Sequence, residues 1–200
     1  MQLYISPTSP YARKAWMVVL EKGLKDKVEI VPVNPWGSPP ELTSKNPLSQ
    51  VPVLFIGPEQ AFYDSRVICA YLDGVKDEPA LVPQAGMERM AVLRMEALAD
   101  GMSDVAVATF FARKDNGDNP DTPEIERQLG KIAAALKVME GEVSNFEGKL
   151  NLGTIAYSAS LAYLDLRYSE LQWRQQVPRL AAWFETIAER PAMLTTAPPA

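Results

Sequence analysis

Proline 52 stands at the mouth of the apolar run 51–56, and no other position narrows the choice of fold so far. The run reads as a buried strand. A proline has no N–H to give a ladder and holds φ at about −65°, so its place is the first residue of a strand or an edge. It follows a loop closed by Asn46 and Pro47, and an X-Pro bond there suits the cis form, which would turn the backbone of Val51 outward as a free edge. A second short strand, 61–63, leads straight into Asp64 and Ser65, and an apolar helix follows over 67–72. Asp64 and Ser65 therefore form a helix N-terminus, whose N–H donors and partial positive charge suit a carboxylate or a phosphate. On local grounds alone, the better account is that Asp64 or Ser65 merely caps its own helix.

Around this span the elements alternate. Residues 2–5 form a short strand, an amphipathic helix runs from Pro10 to Gly23, and 28–33 is rich in β-branched residues. A weak helix near 41–45, the strands near 53–56 and 61–63, and a helix over 66–74 complete the order β, α, β, α, β, β, α. From Asp77 to Gly86 the chain becomes polar and proline-bearing, and strand patterns then disappear. The expected division is an α/β domain over 1–78, a linker over 79–86 and an all-helical domain over 87–200. In the latter, Ile125, Leu129, Ile132, Leu136, Met139, Val143 and Phe146 recur at helical spacing after Thr122 as N-cap and Pro123 at N1. Helices are also expected over 87–113 and 154–168, with a last one marked by Leu180, Trp183, Phe184 and Ile187 and stopped by Pro191. These stripes are core.

Composition sets limits on the chemistry. With 200 residues, 47% hydrophobic and 22% charged, the chain can bury a good core. No apolar stretch approaches the ~18 residues of a membrane helix, and no signal-peptide pattern is visible, so a cytoplasmic protein with no membrane partner is expected. One cysteine, Cys69, rules out an internal disulfide, and zero histidines exclude histidine triads and the usual zinc sites; no metal is expected. A net charge of −5 argues against nucleic acid as a partner.

The start of the first helix carries a second chemical signal. Ser9 falls at the N-cap and Pro10 at N1, with Ala12, Trp16, Val19 and Leu20 as the expected buried face. The serine hydroxyl thus sits at the positive end of a helix dipole, a location worth about 0.3–1 kcal/mol to an anion. Arg13 and Lys14 oppose that dipole. Either they are solvated or paired elsewhere, or an anion visits this helix end. In a βαβ opening with the proline-mouthed strand next in the sheet, Ser9 and Val51 would lie side by side.

Together these features resemble the cytosolic glutathione transferases: the Ser9, Pro10, Tyr11, Ala12, Arg13 helix start, the Val51, Pro52 strand mouth, the Asp64, Ser65 helix start and the helical second half. The resemblance spans nearly the whole chain and, through Ser9, is closest to the serine-type, bacterial-like members. It implies a thioredoxin-like βαβαββα domain with a cis proline, an all-helical C-terminal domain, a homodimer, glutathione as co-substrate, a small hydrophobic electrophile as partner, and detoxification as the setting. It also implies roles. The Val51 backbone, beside Pro52, would pair with the cysteinyl unit of glutathione. The Asp64 carboxylate would face the γ-glutamyl ammonium, and the Ser65 hydroxyl and N–H its carboxylate. Ser9 would donate a hydrogen bond to the sulfur and favour the thiolate, which would attack the electrophile.

Departures from the family pattern matter as well. Serine at 9 and proline at 10 remove the cysteine that glutathione-dependent disulfide reduction would use. Gln50 stands where many relatives place a cation near the glycyl carboxylate. Cys69 is expected to be a small core residue. Asn151 and Thr154 stand where a helical-domain capping box is usual; Asn151 can cap, but the reciprocal acid is lost. Glu96, Asp100 and Asp104 recur at four-residue spacing, where like charges repel by a few tenths of a kcal/mol per pair. They form either a solvated face with an arginine such as Arg94 close by, or a stripe from which Asp100 or Asp104 reaches a partner subunit's glutathione. Tyr11, Trp36, Phe110 and Phe111 are candidates to line the electrophile pocket. Besides a transferase, two alternatives stand: a non-catalytic glutathione-binding regulatory or assembly protein, and a glutathione-dependent lyase, isomerase or dehalogenase of the same fold.

Overall fold

The first strand, β1 (Gln2–Ile5), buries Leu3 and Ile5 by simple alternation, and the rest of the first unit is built around it. The structure is a computed structural model that describes residues 1–57, 60–117 and 121–199. After β1 come α1 (Pro10–Glu21), β2 (Glu29–Pro32), α2 (Pro40–Thr43), β3 (Val53–Ile56), β4 (Gln60–Phe62) and α3 (Ser65–Gly74). The sheet order is β2-β1-β3-β4. β1 runs parallel to β2 and antiparallel to β3, with Tyr4 opposite Val53, and β3 runs antiparallel to β4, with Leu54 opposite Phe62.

This register fixes where the chemistry can lie. β1 ends, β3 begins and β4 ends at one edge of the sheet, so the chain leaves for α1, enters from 51–52 and leaves for α3 at the same end. α1 and α3 pack on each other and therefore present their N-termini there together. The unit has a thioredoxin-like fold.

α1 is buried on more sides than a single amphipathic stripe. Ala12, Ala15, Val18 and Val19 are inside, Trp16 and Leu20 only half-buried, and Arg13 and Lys14 are buried too. The reason lies at the other end of the chain. Pro191 does not stop the last helix but occupies N1 of another, α9 (Pro191–Thr195), which packs on α1. Arg13 donates through Nε to Thr196 Oγ1 at 3.1 Å and through Nη2 to the Met193 carbonyl at 3.0 Å, while Arg190 grips Glu21 bidentately at 2.9 and 2.8 Å. Residues from Arg190 onward accordingly cluster with Met1–Arg89, and Met90–Glu189 form the second unit. The single helical domain expected over 87–200 thus gives up its last segment.

Past α3, Lys22 is fully buried and donates to Asp73 Oδ1 at 2.9 Å and to the Pro79 carbonyl at 2.6 Å. Asp73 also accepts from the amides of Leu81 and Val82 at 2.9 and 3.0 Å. One buried ion pair therefore orders the polar stretch after α3.

The second unit is helical: α4 (Gly86–Asp115), which begins in the first unit, α5 (Pro123–Phe146), α6 (Leu152–Arg167), α7 (Trp173–Gln176) and α8 (Pro178–Ala188). α6 is buried at every position from Leu152 to Leu164, the mark of a central helix. The α5 stripe is core as expected, with Leu129 half-buried, and Phe146 meets Tyr157 and Trp183 edge-on at 5.4 and 4.9 Å. The capping box of α6 is complete, against expectation. Asn151 Oδ1 accepts from Thr154 N, and the Thr154 hydroxyl accepts from Asn151 N, both at 2.9 Å. A hydroxyl replaces the missing acid as the reciprocal acceptor.

Gly153 shows how tightly that cap is packed. A Cβ added there would lie 2.6 Å from Met95 Cβ and 3.0 Å from Met95 Sδ. Helix propensity alone would reward Gly153→Ala by up to ~1 kcal/mol, but overpacking against a Cβ that cannot rotate away costs about 1–3 kcal/mol. The clash should win: a melting temperature below wild type by several degrees is expected, and an unchanged or raised one would show that α4 and α6 separate freely.

Candidate functional site

Two helix starts and one strand mouth meet at the sheet edge. Ser9 caps α1, its Oγ accepting from Ala12 N at 3.2 Å and its own N–H donating to the Ser6 carbonyl at 3.0 Å. The cap uses an oxygen lone pair only. Among the described residues nothing accepts the Ser9 hydroxyl proton, so the half-buried side chain keeps a donor at the helix N-terminus.

The Val51–Pro52 bond is cis, and among the described residues no backbone hydrogen bond outside the ladder closes on Val51. Its approach is scaffolded by a residue that sequence reasoning had treated only as a loop closer. Asn46, buried, donates through Nδ2 to the Gln50 carbonyl at 2.9 Å and accepts from Leu48 N at 3.1 Å. Ser49 sits at φ 51 and its hydroxyl donates to the Pro35 carbonyl at 3.1 Å. The available signal was an asparagine two residues ahead of a potential side-chain-closed turn. The Gln50 side chain is exposed on this loop.

Asp64, one of the two residues that the local reading offered as cap, caps α3: Oδ1 accepts from Arg66 N at 3.0 Å, after a cis Tyr63–Asp64 bond. Only that oxygen is engaged by described residues, and the side chain is exposed. Ser65, at the first position of α3, is buried, and among the described residues its hydroxyl has no partner. Its N–H, in the first turn, has no intrahelical acceptor. The edge therefore gathers an acid, two hydroxyls, a helix-end amide and the Val51 backbone. That set suits a zwitterionic, extended ligand with one group near Ser9. Among the described residues, no group of three or more acids or cysteines is disposed to hold a metal ion.

The remaining candidates lie in separate units. Tyr11, in the first turn of α1, is half-buried, and Trp36, in the short turn Pro35–Gly37, is 70% exposed. Phe110 and Phe111 lie near the C-terminal end of α4, edge-on at 5.2 Å. The acid stripe of α4 is not the solvated face it might have been: Glu96 and Asp100 are buried, and only Asp104 is exposed. Arg94 pairs with Glu142 instead, at 2.8 Å. Cys69 is fully buried.

A thioredoxin-like unit followed by a helical one, with this edge, defines a glutathione-transferase-like protein, and comparisons with known proteins agree. Family models for the glutathione S-transferase N-terminal and C-terminal domains match residues 8–75 and 122–186. The uncharacterized GST-like protein YibF of Escherichia coli K12 is 31% identical over the whole of this chain and 99% of its own. Glutathione S-transferase L1 of Arabidopsis thaliana is 29% identical over 98% of this chain and 81% of its own. A solved glutathione transferase family member from Pseudomonas fluorescens Pf-5, with glutathione bound, is 35% identical over 100% of this chain and 99% of that one, with a TM-score of 0.90. The chain belongs to the glutathione S-transferase family.

Proposed function

We propose that the protein is a cytoplasmic, homodimeric glutathione transferase in which Ser9 activates the thiol for attack on a small hydrophobic electrophile. The observation that carries this is the Ser9 hydroxyl, which caps α1 by accepting and retains its proton to donate. It stands at the sheet edge shared by Val51, Asp64 and Ser65, and one relative of high structural similarity, the Pseudomonas fluorescens family member, holds glutathione in one structure and S-(propanoic acid)-glutathione in another. Val51 pairs its backbone with the cysteinyl unit. The free oxygen of Asp64 meets the ammonium, and the Ser65 hydroxyl and N–H take the γ-glutamyl carboxylate. Gln50 lies on the loop nearest the glycyl end. Of the two acids considered for a partner's glutathione, Asp104 is the exposed one.

Calorimetric titration with glutathione tests the binding half. Ser65→Ala removes a hydrogen bond to a charged group, worth about 1.5–3 kcal/mol, and should weaken binding about 10- to 150-fold. Asp64→Asn keeps a good helix cap and loses only the charge, so it should weaken binding with little change in melting temperature. Wild-type affinity in both variants would overturn the assignment. Turnover of an activated aryl halide by the wild type tests the other half.

A further inference from the structure

Among the described residues of the helical unit, Arg167 and the exposed Arg179 hold no carboxylate, and of the two only Arg167 is half-buried. Arg94, Arg113, Arg127 and Arg174 each hold a carboxylate, Arg113 and Arg174 two apiece. Arg167, at the last position of α6, is half-buried and has no acidic partner among the described residues. Its Nε is buried with no acceptor. The guanidinium is held in place nonetheless: its carbon lies 4.6 Å from the centre of the Phe110 ring, whose face covers one side of the plane. One helical turn earlier on α6, the Tyr163 hydroxyl is pushed up in pKa by burial and pulled back by the charge of Arg167 and by a hydrogen bond with it, so the tyrosine already takes one donor of the guanidinium. Beside Phe110 on α4, Thr109 is 2% exposed and its hydroxyl is also without a partner.

A buried donor left unmade costs stability, and the Arg167 Nε asks for an acceptor. Phe110 faces the guanidinium carbon and Tyr163 takes one of its donors, which leaves Nε without an acceptor. The Nε and neighbouring Nη groups form the fork that takes a carboxylate through two parallel hydrogen bonds. The Phe110 and Phe111 pair supplies an apolar wall for the remainder of such a ligand. We propose that Arg167, with Phe110, forms a binding site for a small organic carboxylate with an apolar or aryl body. All of its residues belong to the second unit, and Phe110 and Phe111 are shared with the expected electrophile pocket, so the site is tested without glutathione.

Benzoate is the probe, followed by protein NMR or calorimetry on the full chain without glutathione, with benzamide as its neutral isostere and chloride as a bare anion. Wild type should bind benzoate at least 10-fold more tightly than benzamide, with chloride competing weakly. Arg167→Gln should lose that preference, and Arg167→Lys, which keeps the charge but not the fork, should recover only part of it. Equal binding of benzoate and benzamide by wild type would overturn the proposal whatever the variants do, as would undiminished benzoate binding by Arg167→Gln. Failure of benzoate to bind wild type would mean that water alone meets the Arg167 edge, and the site would fall while the glutathione assignment stood.

Discussion

Replacing Asp73 by alanine should destabilise the protein by about 3–5 kcal/mol, the cost of removing one partner from a buried ion pair. Lys22 is fully buried, and without Asp73 its ammonium would keep only the Pro79 carbonyl. The backbone donors of Leu81 and Val82 lose their acceptor at the same time, although water can reach that side, where Asp73 is 14% exposed. The lysine therefore dominates the penalty. Pairing Asp73→Ala with Lys22→Met removes the stranded charge and should recover much of the loss, so a double-mutant cycle of urea unfolding curves separates the pair from the packing. Hydrogen exchange adds a local measure: the Leu81 and Val82 amides should lose protection in Asp73→Ala. A cost below about 1 kcal/mol would mean that Lys22 simply swings into solvent.

That ion pair shows what sequence carries and what it does not. Lys22 and Asp73 read as ordinary surface residues at helix ends, and nothing nearby in the chain marks either as buried. The alternation of strands and helices was legible because its signals are local: the inward Leu3 and Ile5, the caps Ser9 and Thr122 with their prolines, the apolar stripe of α5. Pro191 was ambiguous for the same reason. A proline soon after a helix serves as a stop or as the N1 of the next helix, and the choice was settled by contacts with α1 that join residues 180 apart, such as Arg13 and Met193. The burial of Arg13, Glu96 and Asp100 is likewise a fact of packing, which spacing along a helix cannot express. Thr154 was misjudged on chemistry, because a hydroxyl can accept the reciprocal bond that an acid usually takes. The candidate site was legible to an unusual degree, since it is made of caps and a strand mouth. Their convergence follows from one further fact, the β2-β1-β3-β4 order, and the bond by which Asn46 holds the Gln50 carbonyl on the approach to Val51 goes beyond the loop-closing role that its place in the sequence suggested.

Ser9→Ala should leave glutathione bound but return its thiol toward the solution pKa. A free thiol near ~8.5 is a few per cent ionised at pH 7, and a downward shift of about two units requires ~2.7 kcal/mol of preference for the thiolate. A hydrogen bond to a charged acceptor provides about 1.5–3 kcal/mol, and the α1 dipole supplies part of the remainder. Removing the hydroxyl should thus raise the bound pKa by one to two units, read as thiolate absorbance in the ultraviolet, and lower turnover at pH 7 about 3- to 25-fold, as the thiolate fraction falls. The sign of the pH dependence follows by linkage. A thiol whose pKa is lower when bound gains affinity as pH rises through the bound value and stops gaining above the free value, so wild-type binding should strengthen across that window and the Ser9→Ala curve should be flatter. The same substitution removes the acceptor for Ala12 N, a cap worth about 1 kcal/mol, so Ser9→Asn is the necessary companion. Asparagine restores the cap and replaces the hydroxyl donor with an amide of different reach. A variant that regains wild-type melting but not the lowered thiol pKa assigns the effect to the donated proton. A bound thiol that keeps its solution pKa in wild type would remove Ser9 from the chemistry and leave a protein that holds glutathione without activating it.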